Sequence, residues 1–220
     1  MIPTRTRLSG ANQTCGRGTR RWISERGLSL VEMTIILSVL AILSGVMAPA
    51  GVELVSQARD VRVLHDAHTI RQALFTLLTD LGLTTLRVGG ASGTPVELLV
   101  TNAPTPEATG ETDAGWIREL TASGTVDLLD RHLVSNDPAG NTAWAYQLPT
   151  MAGGLGWRGA YLRTSPGADP WGHRYAVNVQ FLDARFDVLV LSAGPNGQIE
   201  TPYKARNLAF GGDDVAVLVR

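Results

Sequence analysis

Read for apolar and polar positions, the chain changes character at two points near its start. Residues 1–27 show no apolar period and are rich in Arg, Gly, Ser and Thr, a composition that cannot bury a core and predicts a disordered segment. Over 28–48 the run LSLVEMTIILSVLAILSGVMA holds 21 residues and one charge, Glu32. As a helix rising about 1.5 Å per residue it would be about 31 Å long, close to the thickness of a bilayer core. Beyond it Val55, Ala58, Val61, Leu64, Ala67 (or His68), Ile70, Ala73 (or Leu74), Leu77, Leu78 and Leu81 recur at helical spacing between polar residues. That spacing predicts an amphipathic helix over 49–82, running to about Asp80 and ended by Gly82. Gly45 and Pro49 interrupt the run, so a kink or an unwound stretch is expected over 45–49.

The pattern then loosens. Residues 83–155 form a variable region dense in Gly and Pro, with one strand expected at 96–100 and short helices at 113–120 and 126–134. The run Asn136-Asp137-Pro138-Ala139-Gly140-Asn141 reads as a turn. Strands are expected at 175–181, 185–191 and 214–219, the first two as a hairpin around Asp183 and Ala184. The fold class predicted is α+β: a long N-terminal helix, its first half transmembrane, packed on a small three-stranded antiparallel sheet within 156–220.

Charge sharpens this picture. Six arginines (Arg5, Arg7, Arg17, Arg20, Arg21, Arg26) stand against Glu25 alone in residues 1–27. The other 193 residues hold 13 Lys and Arg against 19 Asp and Glu, a formal balance of −6. A basic head before an apolar run places that head in the cytoplasm and the body across the membrane. The acidic body disfavours nucleic acid as a partner. Cys15 is the only cysteine, which excludes an intrachain disulfide and any C-x-x-C site. In an ordinary secretory signal the small residue follows a shorter apolar run, whereas Gly27 precedes this one.

The junction Arg26-Gly27-Leu28-Ser29-Leu30-Val31-Glu32-Met33 resembles the type IV prepilin cleavage signal. The resemblance implies that prepilin peptidase, a membrane-embedded aspartyl enzyme, cuts between Gly27 and Leu28 and methylates the new amine on Leu28. It makes Glu32 the fifth mature residue; phenylalanine is commoner than Leu28 at the first. Independently of the family, an ionisable group inside a membrane span costs about 2.5–3.5 kcal/mol on insertion scales and so implies a partner. The new amine of a neighbouring subunit would neutralise Glu32 and set the register between packed helices.

The tail carries a second likeness. Gly156-Trp157-Arg158-Gly159-Ala160-Tyr161-Leu162-Arg163, then Asp169-Pro170-Trp171-Gly172-His173-Arg174-Tyr175, is similar to the W-x-G-P-Y-L and D-P-W-G-x-x-Y segments of the type II secretion major pseudopilin, with Ala160 for the usual proline. In that family a turn like Ser192-Ala193-Gly194-Pro195-Asn196-Gly197 and a later pair of aspartates hold calcium. The resemblance therefore implies a Ca2+ site of Asn196, Asp213, Asp214 and the backbone carbonyl near Ala193, although Asn196 brings no charge and the 198–210 loop is long. Hard cations of this kind take oxygen donors.

Enzymatic chemistry finds little support. Lys204 is the only lysine, so a phosphate-binding loop is excluded, and no nucleophile elbow is present. His65 and His68 share a helical face, a spacing more often surface than metal. The resemblance implies no enzyme but a subunit of a type II secretion pseudopilus, anchored in the inner membrane with its C-terminal domain periplasmic. Its partners would be copies of itself, other pseudopilins, prepilin peptidase and the inner-membrane assembly platform. A type IV pilin or minor pilin, serving adhesion, motility or DNA uptake, is the alternative, and a membrane-anchored enzyme a more distant one.

Overall fold

The structure, a computed structural model, describes residues 27–220 apart from 90, 91, 152, 185 and 209; at 46 and 48–50 it describes the backbone alone. The readings of the basic head and of Cys15 fall on 1–26, outside the described residues. The protein is α+β. The chain divides into two compact units, Met1–Pro49 and Ala50–Arg220.

Helix α1 spans Leu30–Leu81, 52 residues, and so contributes to both units. Its backbone is helical through 45–49, so of the kink or unwound stretch expected there the unwound stretch does not form. In the first unit the apolar side chains of 28–45 are exposed, Leu30 at 81% and Ile42 at 69%. Among the described residues no helix is long and apolar enough to cross a membrane.

In the second unit, α1 buries Val63, Ala67, Ile70, Ala73, Leu74 and Leu77. These residues lie three and four apart, one stripe of the helix. The stripe starts later than the sequence predicts: Val55, Val61 and Leu64 are exposed, Val61 and Leu64 because they are turned about 160° and about 100° away from Val63 at 3.6 residues per turn. Val55 shares the azimuth of buried Ala73 but lies about two turns before Val63. The helix closes at Gly82, where φ is +62°. The Gly82 N–H donates to Thr79 O (3.3 Å) and the Leu83 N–H to Leu78 O (3.2 Å). That reciprocal pair at a left-handed glycine is the Schellman closure.

The main sheet has five strands: β3 (Leu98–Val100), β5 (Val126–Leu128), β6 (Ala176–Val177), β7 (Leu189–Ser192) and β9 (Val215–Leu218). Their spatial order is β5-β3-β6-β7-β9. The expected antiparallel C-terminal trio is present as β6, β7 and β9. It is extended by β3, antiparallel to β6, and by β5, parallel to β3. Two small pairs flank it: β1 (Arg87–Val88) with β2 (Thr94–Pro95), and β4 (Glu107–Ala108) with β8 (Gln198–Ile199).

Three local expectations change. The helix read at 126–134 opens instead as β5, since Val126 and Leu128 pair in register with Leu98 and Val100; a helical turn follows only from Leu129. The segment 113–120 makes a single 3-10 turn, Ala114–Ile117. The strand read at 175–181 stops at Val177. There Asn178 replaces the ladder, donating to Asp187 O and Tyr203 O and accepting from the Leu189 N–H (2.7 Å). Side-chain amides that satisfy backbone groups end regular structure in this way.

Candidate functional site

The junction belongs to the first unit. Gly27, Leu28 and Ser29 precede α1 in non-helical backbone. Ser29 Oγ accepts the Glu32 N–H (3.1 Å), and Ser29 O accepts the Met33 N–H (3.1 Å). Ser29 is therefore the N-cap and Glu32 the third helical residue, the spacing of a capping box. Glu32 lies in the first turn, where a negative charge meets the positive end of the helix dipole. Among the described residues, a Cβ built at Gly27 meets no heavy atom within 4 Å, as is also true at Gly45 and Gly51. Further along, Thr34 and Ser38 donate their hydroxyls to Val31 O and Thr34 O, so these two side chains inside the apolar run are satisfied by the helix itself.

In the second unit the fold joins motifs that are far apart in sequence. Asp169 Oδ1 accepts the N–H groups of Trp171 (3.0 Å) and His173 (2.9 Å), which makes the Asp-Pro-Trp-Gly turn. Asp169 Oδ2 accepts the Ser192 hydroxyl (2.6 Å) at the end of β7. Next to it Ala193 leads into Gly194, whose φ is +65°. A Cβ at Gly194 would stand 2.3 Å from Asp213 O, so the two loops approach too closely for any other residue.

The residues expected at a calcium site meet here, with changed roles. Asn196 is spent within its own loop: Oδ1 accepts the Gln198 N–H (2.7 Å) and Nδ2 donates to Glu200 Oε1 (2.9 Å). Its backbone N–H donates to Asp213 Oδ2 (3.1 Å). Asp214 Oδ2 accepts the N–H groups of Glu200 (2.9 Å) and Thr201 (2.6 Å). Glu200, which the sequence reading missed, joins the acids because Gly212 leaves space for it; a Cβ there would overlap the Glu200 carboxylate. Burial pushes the Asp214 carboxyl up from its ordinary range, against hydrogen bonds from Thr201 and Glu200 and aided by the Glu200 charge.

Glu200 Oε2, Asp213 Oδ1 and Asp214 Oδ1 are each buried without a hydrogen-bond partner among the described residues. Buried carboxylate oxygens without donors are rare and are suited to a hard cation. No group of three or more His, Cys, Asp or Glu side chains is gathered as a metal cage among the described residues. The three carboxylates therefore lie on adjoining loops without gathering into a three-acid cage. His65 and His68 lie exposed on α1.

A second polar constellation stands behind β5. Asp127, fully buried, accepts from Leu128 N–H (2.8 Å) and Arg131 Nη1 (2.7 Å) on Oδ1, and from His132 Nε2 (2.9 Å) and Ala139 N–H (2.6 Å) on Oδ2. With Nε2–H donating to Asp127, His132 Nδ1 accepts the Tyr146 hydroxyl (2.6 Å). The imidazole is wholly buried, so the trio ties 126–146 together and offers no reacting group to solvent. Burial opposes ionisation of Asp127, but the hydrogen bonds from His132, Ala139 and Arg131 hold its carboxyl below the usual range. Tyr146 is raised by the same burial and by the Asp127 charge.

The tryptophans serve packing: Trp116 is fully buried, its Nε1 donating to Thr201 O (3.0 Å), and Trp144, Trp157 and Trp171 pack against the core. No protein-family model matches the chain, and no curated protein or solved structure matches it either.

Proposed function

We propose that the protein is a structural subunit of a pilin-like filament, a type II secretion pseudopilus in the first instance, and not an enzyme. The observation that carries the reading is the junction: Gly27 and Leu28 stand immediately before an exposed apolar helix whose third residue is Glu32. A protease that must accommodate the backbone at the cut gives a glycine there a reason. In this reading 1–27 is the cytoplasmic leader, 28–48 is the membrane span and later the filament core, and the unit Ala50–Arg220 lies in the periplasm. The exposed Val52, Leu54, Val55, Val61 and Leu64 are then surface for neighbouring helices, since large apolar patches mark contacts.

Asp213, Asp214 and Glu200 would hold a calcium ion in the same proposal, with backbone oxygens near Ala193 completing its shell. Their charge neutralised, the 192–200 and 211–214 loops would be clamped together. The reading is tested by intact mass and N-terminal sequencing of the protein from its native membrane. A mature chain starting at N-methylated Leu28 is expected; a chain retaining 1–27 beside an active prepilin peptidase refutes the proposal.

A further inference from the structure

A cleft of about 620 Å³ opens in the unit Ala50–Arg220 where α1 ends, within the range of about 300–1,000 Å³ typical of small-ligand sites. Its walls are the turn 81–85 that closes α1, Arg87 of β1, the segment 144–147, Leu155 with Gly156, and Asp183. These walls are held in place by the fold. Asn136 accepts the Tyr146 N–H (2.8 Å) and donates to the Tyr146 carbonyl (3.1 Å). The Tyr146 hydroxyl is fixed by His132 (2.6 Å), itself bound to buried Asp127. The Trp144 N–H donates to Asn141 O (2.9 Å), and Gln147 O accepts the Trp157 N–H (2.7 Å). A cleft built this way loses little freedom when it is filled.

The lining selects a class of ligand. Trp144 and Tyr146 are half-buried, packed on the core and lining the cleft, and aromatic rings so placed take up the C–H surface of a ligand. Arg87 and Asp183 are the only charged residues described in the lining, so its formal charge is zero. An anion such as phosphate needs a surplus of cation, which Asp183 cancels. An aliphatic ligand would strip water from Arg87 and Asp183 without replacing their hydrogen bonds. Asp183 Oδ2 accepts the Thr85 hydroxyl (3.3 Å) and Arg87 Nη1 donates to Gly93 O (3.0 Å); each side chain has further hydrogen-bonding capacity beyond that one bond. Neutral hydroxyl groups suit both, donating to the carboxylate and accepting from the guanidinium. A molecule with a C–H face and a rim of neutral hydroxyls is a sugar ring. We propose that this cleft binds a neutral saccharide, stacked on Trp144 and hydrogen-bonded by Arg87, Asp183 and Gln147. The cleft belongs to a single subunit, so its ligand does not depend on the filament reading.

The test is titration of the full chain, solubilised in a zwitterionic detergent that carries no sugar. The probes are maltose, cellobiose and N,N′-diacetylchitobiose, read by tryptophan emission and by calorimetry. At least one is expected to bind saturably with a Kd below about 10 mM, the range of a weak specific site. Asp183→Ala and Gln147→Ala change exposed residues; they are expected to keep wild-type thermal unfolding and to weaken binding by about tenfold each. Absence of saturable binding by all three sugars overturns the proposal. So does binding that both variants leave unchanged, which would put the sugar elsewhere on the chain. Sodium phosphate is expected to leave the emission unaltered; tighter binding of phosphate than of any sugar would make the cleft an anion site and overturn the proposal as well.

Discussion

Replacing Asp127 by Ala tests whether the buried network behind β5 holds the 126–146 segment. The carboxylate accepts four hydrogen bonds, from Leu128, Arg131, His132 and Ala139. Its loss leaves His132 Nε2–H buried without an acceptor and frees the backbone N–H of Ala139. Each orphaned buried donor costs about 1–3 kcal/mol, so the two together cost about 2–6 kcal/mol. For a unit of this size 1 kcal/mol moves Tm by about 2–4 °C, so a fall of about 4–24 °C is expected. The assay is thermal and urea unfolding of the detergent-solubilised chain, followed by tryptophan fluorescence. Protonation of the wild-type carboxylate gives an internal control. Because the folded Asp127 carboxyl lies below its ordinary value of 3.8, its stabilisation is present above that value and is lost as pH falls through the folded one. The difference between wild type and variant should therefore persist at neutral pH and shrink only in strong acid. A loss under 1 kcal/mol, or a difference already collapsing near pH 6, would refute the assignment.

Two further outcomes follow from the proposed function. Glu32→Ala should leave processing at Leu28 intact and abolish filaments; the cap uses the backbone N–H of residue 32, which survives the change, so helix loss would not explain the defect. Filaments at wild-type yield, counted in sheared fractions, would sink the register role. Millimolar calcium should raise Tm, by an amount equivalent to about 2.7 kcal/mol at a hundredfold excess over Kd. Asp213→Asn with Glu200→Gln should remove most of that shift, and an unshifted wild type would end the calcium proposal.

Much of the backbone course was legible along the chain. The apolar run, the amphipathic stretch and Gly82 mark α1 almost to the residue, because helical period and a left-handed glycine are local properties. The strands read at 185–191 and 214–219 form as the shorter Leu189–Ser192 and Val215–Leu218, legible in place if not in extent, being short apolar runs bounded by turn residues. The junction of Gly27, Leu28 and Glu32 is likewise a local pattern.

Other features had to wait for tertiary contacts. The stripe on α1 could have started at Val55 or Val63; packing against the sheet selects Val63 and leaves Val61 and Leu64 exposed. Val126–Leu128 has helical company in sequence, yet pairing with β3 draws it into a strand, since a ladder partner outweighs a weak local preference. Asn196 reads as a ligand in its motif, but its amide is consumed by Gln198 and Glu200. Glu200 had no motif at all. It joins Asp213 and Asp214 only because the chain turns back at Gly211 and Gly212, where the absence of a Cβ lets the loops meet. Local spacing determines which elements form, whereas burial and close approach decide which of their side chains remain free to act.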